Sequence, residues 1–314
     1  MLNASQASFF SLAAYLDSGL FRYLCFLVVV CLYVLILGCN VLLIVVICVN
    51  RTLHEPMYMF LCSLFVNELY GSAGLFPSLL IQTLSDLHTI SAPLCLLQVF
   101  IVHSYGAVEF LSLAVMSYDR YLAICHPLQY NSKMTTTKIF WLIAVSWLYP
   151  SCAMFVSLSL ISPLKLCGNS INKVYCDMHS VVKLACSDTA LINIYGLCAT
   201  FSTIAAALLI NLYTYTKIFV VCFSGSSQTR QRAVSTCTPH LASILNVSFG
   251  CSFEVSQSRF NMSFLPNVLR IFLSLYFLTV QPLFNSVLYG LKMSKIKNAC
   301  HNLILNVKTK HESD

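Results

Sequence analysis

Seven long apolar runs constrain the fold of this chain more than any other feature of its sequence. They occupy residues 22–48, 57–84, 95–124, 139–162, 191–222, 230–255 and 265–291. A helix rises about 1.5 Å per residue, so about 20 apolar residues cross the hydrocarbon core of a bilayer. The sixth run is the least uniform, because Thr and Ser residues, Pro239 and His240 interrupt it. The runs predict an all-α membrane protein, a seven-transmembrane helix bundle with mostly short connections.

The composition agrees with a membrane location. Of the 314 residues, 58% are hydrophobic and only 9% are charged, whereas soluble domains carry about 25% charged residues. The formal net charge is +7, but the basic residues are scattered between apolar runs and form no stripe interleaved with aromatic side chains. We therefore expect a multi-pass protein of the plasma membrane that contacts lipid and binds no nucleic acid.

The placement of Lys and Arg predicts the orientation, because cytoplasmic loops carry an excess of these residues. With the N-terminus outside, twelve of the 18 basic residues lie on the cytoplasmic side and six on the outer side. We expect an extracellular segment over 1–21, the transmembrane domain over 22–291, and a cytoplasmic helix and tail over 292–314. The last segment mixes Lys with apolar residues, which predicts a short amphipathic helix on the inner leaflet. Its Cys300 is either palmitoylated or an unmodified cysteine.

Two Asn-X-Ser/Thr sequences are candidates for glycosylation. The predicted orientation places Asn3 outside the membrane and Asn50 inside. Because the glycan is attached outside the cytoplasm, we expect modification at Asn3 and none at Asn50.

Four of the 16 cysteines fall at or beyond the outer ends of the apolar runs: Cys95, Cys167, Cys176 and Cys186. In an oxidising compartment they indicate two disulfides, with three alternative connectivities. Three of the four belong to the connection over 163–190, which is long for a compact protein and is therefore expected to have a function. Disulfides would hold this connection over the bundle as a lid on a pocket.

Three polar residues lie in the middle of predicted spans. Counted from the cytoplasmic boundary, Asn40, Glu68 and Glu109 are eleven or twelve residues deep, which is roughly 16–18 Å. We expect them to face one another, because exposure to lipid would be costly. Two close carboxylates need a compensating cation or a shared proton, so a sodium ion or proton is expected there. Alternatively, each glutamate is protonated and hydrogen bonded to a neighbour.

One face of the third run has the features of a ligand pocket. His103, Gly106, Ala107 and Phe110 follow the i, i+3, i+4, i+7 spacing of a single helical face. Small residues next to a histidine leave room for a ligand. The alternative is that His103 is a structural histidine in the core.

Five segments resemble those of a known family. They are LHEPMYMFLCSL at 53–64, SYDRYLAICHPLQY at 117–130, KLACSDT at 183–189, RAVSTCTPHL at 232–241 and PLFNSVLYGLK at 282–292. Together they resemble the odorant receptors, a large branch of the rhodopsin-like G-protein-coupled receptors. The segments follow in the right order along the whole chain, so the resemblance implies a receptor and not an enzyme.

The resemblance implies roles for individual residues. The implied disulfide pairs are Cys95–Cys176 and Cys167–Cys186. The implied G-protein switch consists of Asp119, Arg120, Tyr121, Asn285 and Tyr289. In the resting state Asp119 would hold Arg120, and release of Arg120 with outward motion of helix six would open a groove for a heterotrimeric G protein. The expected partner is a stimulatory G protein that raises cyclic AMP.

The resemblance also suggests the ligand. His103 and Arg259 match positions that contact the ligand in the class I branch of odorant receptors, whose ligands tend to be water-soluble. A guanidinium facing an apolar cavity suits a carboxylate, and His179 would assist. We expect a small odorant, anionic in character, such as a carboxylic or amino acid. The expected ligand-binding residues are His103, Gly106, Ala107, His179 and Arg259, unless Arg259 is a solvated loop residue.

The chain departs from the family pattern at three places. Glu68 stands where an aspartate is usual, and Ser286 follows Asn285 where a proline is usual. The aromatic-Tyr-Gly run of mid helix six is replaced by residues 246–249. The longer acid should still support a polar centre, whereas the details of activation through helix six are open.

Three other functions compete with an odorant receptor. The nearest is a non-odorant rhodopsin-like receptor for a small ligand, against which the start of helix six and the three-cysteine loop argue. A transporter or channel would also place carboxylates in the membrane, but no repeat or polar path is evident in the sequence. An enzyme would need a nucleophile–base pair or metal ligands, and no such constellation stands out.

Overall fold

The computed structural model describes residues 8–15, 19–224, 227–260 and 265–311. Asn3, the predicted glycosylation site, lies outside these residues. Within them, eight helices of at least 18 residues follow in order. They are α1 (Phe21–Val49), α2 (Pro56–Leu84), α3 (Ala92–Cys125), α4 (Thr136–Ile161), α5 (Ala190–Ser224), α6 (Ser227–Arg259), α7 (Asn267–Lys292) and α8 (Ser294–His311).

The seven predicted spans correspond to α1–α7, and the predicted seven-helix bundle is confirmed. Six of the described helices are long and apolar enough to cross a membrane, namely α1–α5 and α7. Helix α6 is long enough but more polar, because its first half carries the Thr, Ser and His residues that interrupt the sixth run. Local sequence places several helix ends: Pro56 opens α2, and the Thr135 hydroxyl accepts a hydrogen bond from the Lys138 amide at the start of α4.

Helix α3 lies at the centre of the bundle and packs against α2, α4, α5 and α6. The approach of α2 to α3 requires Gly71, because a Cβ at this position would lie 2.5 Å from Cδ2 of the Tyr105 ring. Tyr105 is completely buried. The position of α3 allows its side chains to contribute to both the outer and the inner half of the bundle.

A small sheet at the outer end was not part of the all-α prediction. Strands β1 (Phe9–Leu12), β2 (Thr89–Ser91) and β3 (Ser170–Ile171) pair in the order β2-β1-β3. Strand β1 is antiparallel to β2 and parallel to β3. The buried side chains of Phe10, Ile90 and Ile171 belong to one apolar cluster beneath it. The sheet thus joins the N-terminal segment to two outer connections.

The connection between α4 and α5 forms the predicted lid. Cys176 is bonded to Cys95 in the first turn of α3, and Cys167 is bonded to Cys186 within the connection. These are the pairs that the family resemblance implies. The Tyr15 hydroxyl also donates to the Val174 carbonyl at 2.9 Å, which ties the N-terminal segment to the lid.

Helix α8 follows α7 after one residue and packs against α1 and α7. Ile296 is completely buried, while Lys295 forms an exposed ion pair with Glu55 at 2.6 Å. The helix therefore has the apolar and charged faces expected of the predicted amphipathic segment.

Candidate functional site

The outer half of the bundle encloses a cavity of about 200 Å³ beneath the lid. Its walls come from α3, α4, α5, α6, α7 and the lid, and most of the lining side chains are apolar. All five residues predicted to bind ligand line it: His103, Gly106, Ala107, His179 and Arg259. An apolar cavity of about 150 Å³ accommodates benzene, so this space fits a small organic molecule.

The α3 wall of the cavity is the helical face predicted from the sequence. Gly106 matters there, because a Cβ would lie 3.3 Å from the Phe277 ring on the opposite side. The Nδ1 atom of His103 lies 3.0 Å from the Val99 carbonyl. Because a carbonyl can only accept, Nδ1 carries a proton, and Nε2 of a neutral ring would accept a hydrogen bond from a ligand.

Charged residues from the lid and α6 meet at one side of the cavity. The Lys173 ammonium pairs with Glu254 and lies 3.2 Å from Asp177 Oδ2. The Tyr175 hydroxyl donates to the same Glu254 oxygen at 2.7 Å. This group, defined here as the lid cluster, consists of Lys173, Tyr175, Asp177 and Glu254. It was not predicted, because its members come from two segments that are about 80 residues apart.

The charges of the lid cluster stabilise one another. Burial would lower the pKa of Lys173, but the neighbouring Asp177 and Glu254 outweigh burial and raise that pKa above its ordinary value. Burial would raise the pKa of Asp177, but Lys173 and the Ser180 amide hold it below its ordinary value. Lys173 and Asp177 are therefore ionised at neutral pH.

His179 and Arg259, the other two residues predicted to favour an anionic ligand, differ in their surroundings. Burial, followed by the charges of Lys183 and Arg259, lowers the pKa of His179. The His179 imidazole is therefore neutral at neutral pH and supplies no positive charge. Arg259 lies at the end of α6 with an exposed side chain that also lines the cavity.

Below the cavity, Glu68 and Glu109 belong to one buried polar group, which we call the carboxyl centre. The Asn285 amide nitrogen donates to both carboxyls, at 2.7 Å for Glu109 Oε1. The Tyr105 hydroxyl donates to Glu68 Oε2 at 2.9 Å, and Gln281 donates to Glu109 Oε1 at 3.0 Å. Both carboxyls are completely buried. The predicted proximity of the two glutamates is thus present in the structure.

Asn40 was predicted to face the two glutamates, but it does not join this centre. Its amide nitrogen donates to the carbonyls of Ile36 and Pro282 at 2.9 Å and 3.3 Å. Pro282 lacks an N–H and therefore interrupts the backbone hydrogen bonds of α7 close to its contact with Asn40. Equal depth alone did not predict the direction in which each side chain points. Asn67 contributes instead, donating to Glu109 Oε2 at 3.2 Å.

At the cytoplasmic end, Asp119 and Arg120, which the resemblance pairs in the resting state, do not form a direct ion pair in this structure. The Asp119 carboxylate accepts from the Tyr130 hydroxyl at 2.7 Å. Among the described residues no ion pair joins Asp119 to Arg120, and Arg120 Nε is buried without a hydrogen-bond partner. Adjacent residues of a helix do not face each other, which agrees with the absence of a direct ion pair here; the switch role of the two residues stays a prediction.

The remaining switch residues are also dispersed. The Tyr121 hydroxyl lies 2.9 Å from His126 Nε2 at the end of α3. Asn285 belongs to the carboxyl centre, and Tyr289 is completely buried one turn further along α7. The switch inferred from the resemblance is therefore spread between the middle and the inner end of the bundle.

His240 links three helices in the inner half of the bundle. Its Nε2 atom lies 2.9 Å from the Leu113 carbonyl of α3, so it must donate. Its Nδ1 atom then accepts from the Tyr215 hydroxyl of α5 at 2.6 Å. His240 is completely buried. The signal in the sequence was the polar interruption of the sixth run, which reflects this junction.

The unusual middle of α6 is also hydrogen bonded to α7. Asn246 donates to Gln281 and accepts from the Tyr276 hydroxyl. Ser243, one turn earlier on α6, donates to Asn285 at 2.6 Å. Asn246, the first of the residues that replace the usual aromatic run, thus connects α6 through Gln281 to Glu109.

Comparison with known proteins gives consistent matches. A family model described as olfactory receptor matches residues 29–307. Human olfactory receptor 10A6 is 34% identical over 283 residues, covering 90% of this chain and 88% of the relative. Human olfactory receptor 11A1 is 35% identical over 302 residues, covering 94% and 93%. Mouse olfactory receptor 4B13 is 32% identical over 276 residues, covering 88% and 89%.

The fold also matches a solved structure. The crystal structure of squid rhodopsin superposes with a TM-score of 0.74 at 15% identity, covering 92% of this chain and 86% of rhodopsin. At this identity the match concerns the fold alone.

Proposed function

The chain belongs to the olfactory receptor family, whose members are multi-pass G-protein-coupled receptors and not enzymes, and we propose that it detects a small odorant in the outer cavity. The proposed response is activation of a heterotrimeric G protein of the stimulatory type, which raises cyclic AMP. The observation that carries this proposal is that all five predicted ligand-binding residues line one cavity beneath a disulfide-bonded lid.

A continuous set of contacts supports transmission from this cavity to α6. Phe277 lines the cavity, and its ring centroid lies 5.3 Å from that of Tyr105. The Tyr105 hydroxyl donates a hydrogen bond to Glu68, and Glu68 accepts another from Asn285 of α7. Asn285 in turn accepts a hydrogen bond from Ser243 of α6. A ligand that moved Phe277 would therefore disturb the hydrogen bonds that hold α6. Such a ligand changes the equilibrium only if it binds the two positions of α6 with different affinities.

The test is a cyclic AMP assay in transfected cells, run against an odorant panel at matched surface expression. We expect at least one small odorant to raise cyclic AMP in a saturable way. The matched control is Arg120→Ala, which should still reach the surface and bind the odorant but should not signal. A response that persists in Arg120→Ala, or that depends on an inhibitory G protein, would contradict the proposed coupling.

We also propose that the carboxyl centre holds a sodium ion or a shared proton. Carboxyl and amide oxygens are the donors that a hard cation prefers. Glu68 and Glu109 provide such oxygens, and Asn67 Oδ1 is buried there without a hydrogen-bond partner among the described residues. These three residues would hold the ion, and the ion would supply the positive charge that two adjacent carboxylates require.

This second proposal is tested by changing the salt. Replacing sodium by N-methylglucamine at constant ionic strength should alter the basal cyclic AMP level of the wild type. Glu68→Gln removes one carboxylate charge and should abolish this sensitivity. If sodium has no effect on the wild type, a shared proton remains as the compensating charge.

For the ligand itself, Arg259 at the cavity wall supports a carboxylate-bearing odorant. We propose that Arg259→Ala weakens responses to small acids by about tenfold while sparing surface expression. Membership of the class I branch depends on His103 and Arg259 alone and stays a prediction.

A further inference from the structure

The lid cluster contains more negative than positive charge. One ammonium, that of Lys173, lies between the two carboxylates of Asp177 and Glu254. Lys173 and Asp177 are almost completely buried, with side chains 7% and 6% exposed, whereas the Glu254 side chain is 21% exposed. The cluster therefore carries one uncompensated negative charge, and Glu254 is its most accessible member.

The acidic residues of the lid cluster, and not its lysine, line the cavity. Tyr175, Asp177 and Glu254 line the cavity, whereas Lys173 is not among the lining residues. A ligand in the cavity thus meets an acidic wall whose counterion lies behind it. In a low-dielectric cavity an uncompensated carboxylate favours a cationic partner.

Glu254 also has an unused hydrogen-bond acceptor. Its Oε1 atom accepts from both Lys173 and Tyr175, while its Oε2 atom is buried without a partner among the described residues. Both oxygens of Asp177 have partners: Oδ2 contacts the Lys173 ammonium, and Oδ1 accepts from the Ser180 amide at 3.1 Å. The terminal torsion of a glutamate is soft, so the Glu254 carboxyl can turn to present Oε2 to a donor in the cavity.

We propose, building on the receptor function proposed above, that the cavity selects small ligands with a primary ammonium group, which binds Glu254. Simple amines satisfy this requirement. A small amino acid satisfies it as well and adds a carboxylate for Arg259, which lies five residues further along α6 toward the outer end. The ammonium requirement changes the ligand class predicted from Arg259. It adds simple amines, and among carboxylic acids it retains only those that also carry an amine, because an acid without an amine would leave the acidic wall uncompensated.

The test uses four probes with the same five-carbon chain: pentylamine, norvaline, pentanol and pentanoate. Binding is measured as the thermal stabilisation of purified receptor, which does not depend on G-protein coupling, and signalling is measured as cyclic AMP. We expect pentylamine and norvaline to bind more tightly than pentanol and pentanoate. Glu254→Gln keeps the size of the side chain but removes its charge, so it should weaken binding of pentylamine and norvaline by at least about tenfold and leave pentanol nearly unchanged.

Two further variants separate ligand binding from a structural role. Ser252→Ala, at an exposed position of the same helix, should leave all four affinities unchanged. Lys173→Met removes the single cation and should strengthen binding of pentylamine while weakening that of pentanoate. General destabilisation cannot increase an affinity, so a stronger affinity for pentylamine would indicate a direct effect on ligand binding. Lys173→Met therefore also tests the proposal if Glu254→Gln does not reach the surface.

The outcomes distinguish this proposal from the proposed function. Absence of pentylamine and norvaline binding to the wild type, or equal weakening of all four probes by Glu254→Gln, would overturn the ammonium requirement. A cyclic AMP response to pentanol or pentanoate without amine binding would overturn it too, while leaving the receptor function intact.

Discussion

Asp119 and Arg120 illustrate how much the contacts of single residues depend on direction. They are adjacent in sequence, yet Asp119 accepts a hydrogen bond from Tyr130, eleven residues away. A helix turns its side chains by about 100° per residue, so neighbours in sequence point to different surroundings. The Tyr130 bond fixes the short connection after α3 against the inner end of that helix. Arg120 forms no ion pair with Asp119 among the described residues, and its Nε atom is buried without a hydrogen-bond partner.

At the same scale, Gly71→Ala should be strongly destabilising. The new Cβ would lie 2.5–2.9 Å from three carbons of the Tyr105 ring, and that ring is fixed by its bond to Glu68. We expect a loss of about 1–3 kcal/mol in the free energy of unfolding, seen as a lower melting temperature in detergent. Gly38→Ala in α1 is the control, because its Cβ would meet nothing within 4 Å. Equal melting temperatures for the two variants would contradict the close packing of α2 on α3.

At the scale of elements, α6 is held to its neighbours by polar contacts along its length. His240 connects it to α3 and α5, Ser243 and Asn246 connect it to α7, and Glu254 connects it to the lid. The proposed outward motion of α6 would be easier with such contacts than with an extensive apolar interface, because a few hydrogen bonds can be exchanged at modest cost. The low hydropathy of the sixth run is the sequence counterpart of this arrangement.

His240→Leu tests this role of polar contacts. The variant would leave the Leu113 carbonyl and the Tyr215 hydroxyl without their partner and would release α6 from α3 and α5. A shift of about 1–2 kcal/mol toward an outward α6 should raise basal cyclic AMP several-fold per receptor at the surface.

The control for this prediction is Tyr215→Phe, which removes only the bond to Nδ1 and keeps the bond between His240 and Leu113. It should give a smaller increase. A lower basal level in His240→Leu at normal surface expression would mean that the junction stabilises the active position instead.

At the scale of the whole molecule, the two ends of the bundle differ in construction. The outer end is closed by two disulfides and a three-stranded sheet that joins the N-terminal segment to the outer connections. At the inner end, the α1–α2 and α3–α4 connections contain only short helical turns, and α8 packs on α1 and α7. The disulfides restrict motion around the outer cavity, whereas no disulfide among the described residues joins the inner connections.

This arrangement predicts a defined orientation. An N-terminal epitope tag should be stained on intact cells, and a C-terminal tag only after permeabilisation, because twelve of the 18 basic residues would then face the cytoplasm. Asn3→Gln should increase gel mobility by removing a glycan, whereas Asn50→Gln should not. Staining of both tags on intact cells would be incompatible with seven crossings.

The sequence by itself determined the number of spans and the boundaries of the corresponding helices within four residues. It also determined the α3 face that lines the cavity, from His103 to Ala107. These features follow from local periodicity and from the length of apolar runs, which are properties of neighbouring residues. They do not depend on how one helix is rotated relative to another.

Only the tertiary structure decided most of the contacts between polar side chains. It turned Asn40 toward Pro282 and brought Asn285 to the two glutamates. It also brought Glu254 of α6 to Lys173 of the lid, which no spacing in the sequence indicates. The physical reason is that a buried polar group takes whichever partner the rotation of its helix and the path of a distant connection bring within hydrogen-bonding distance.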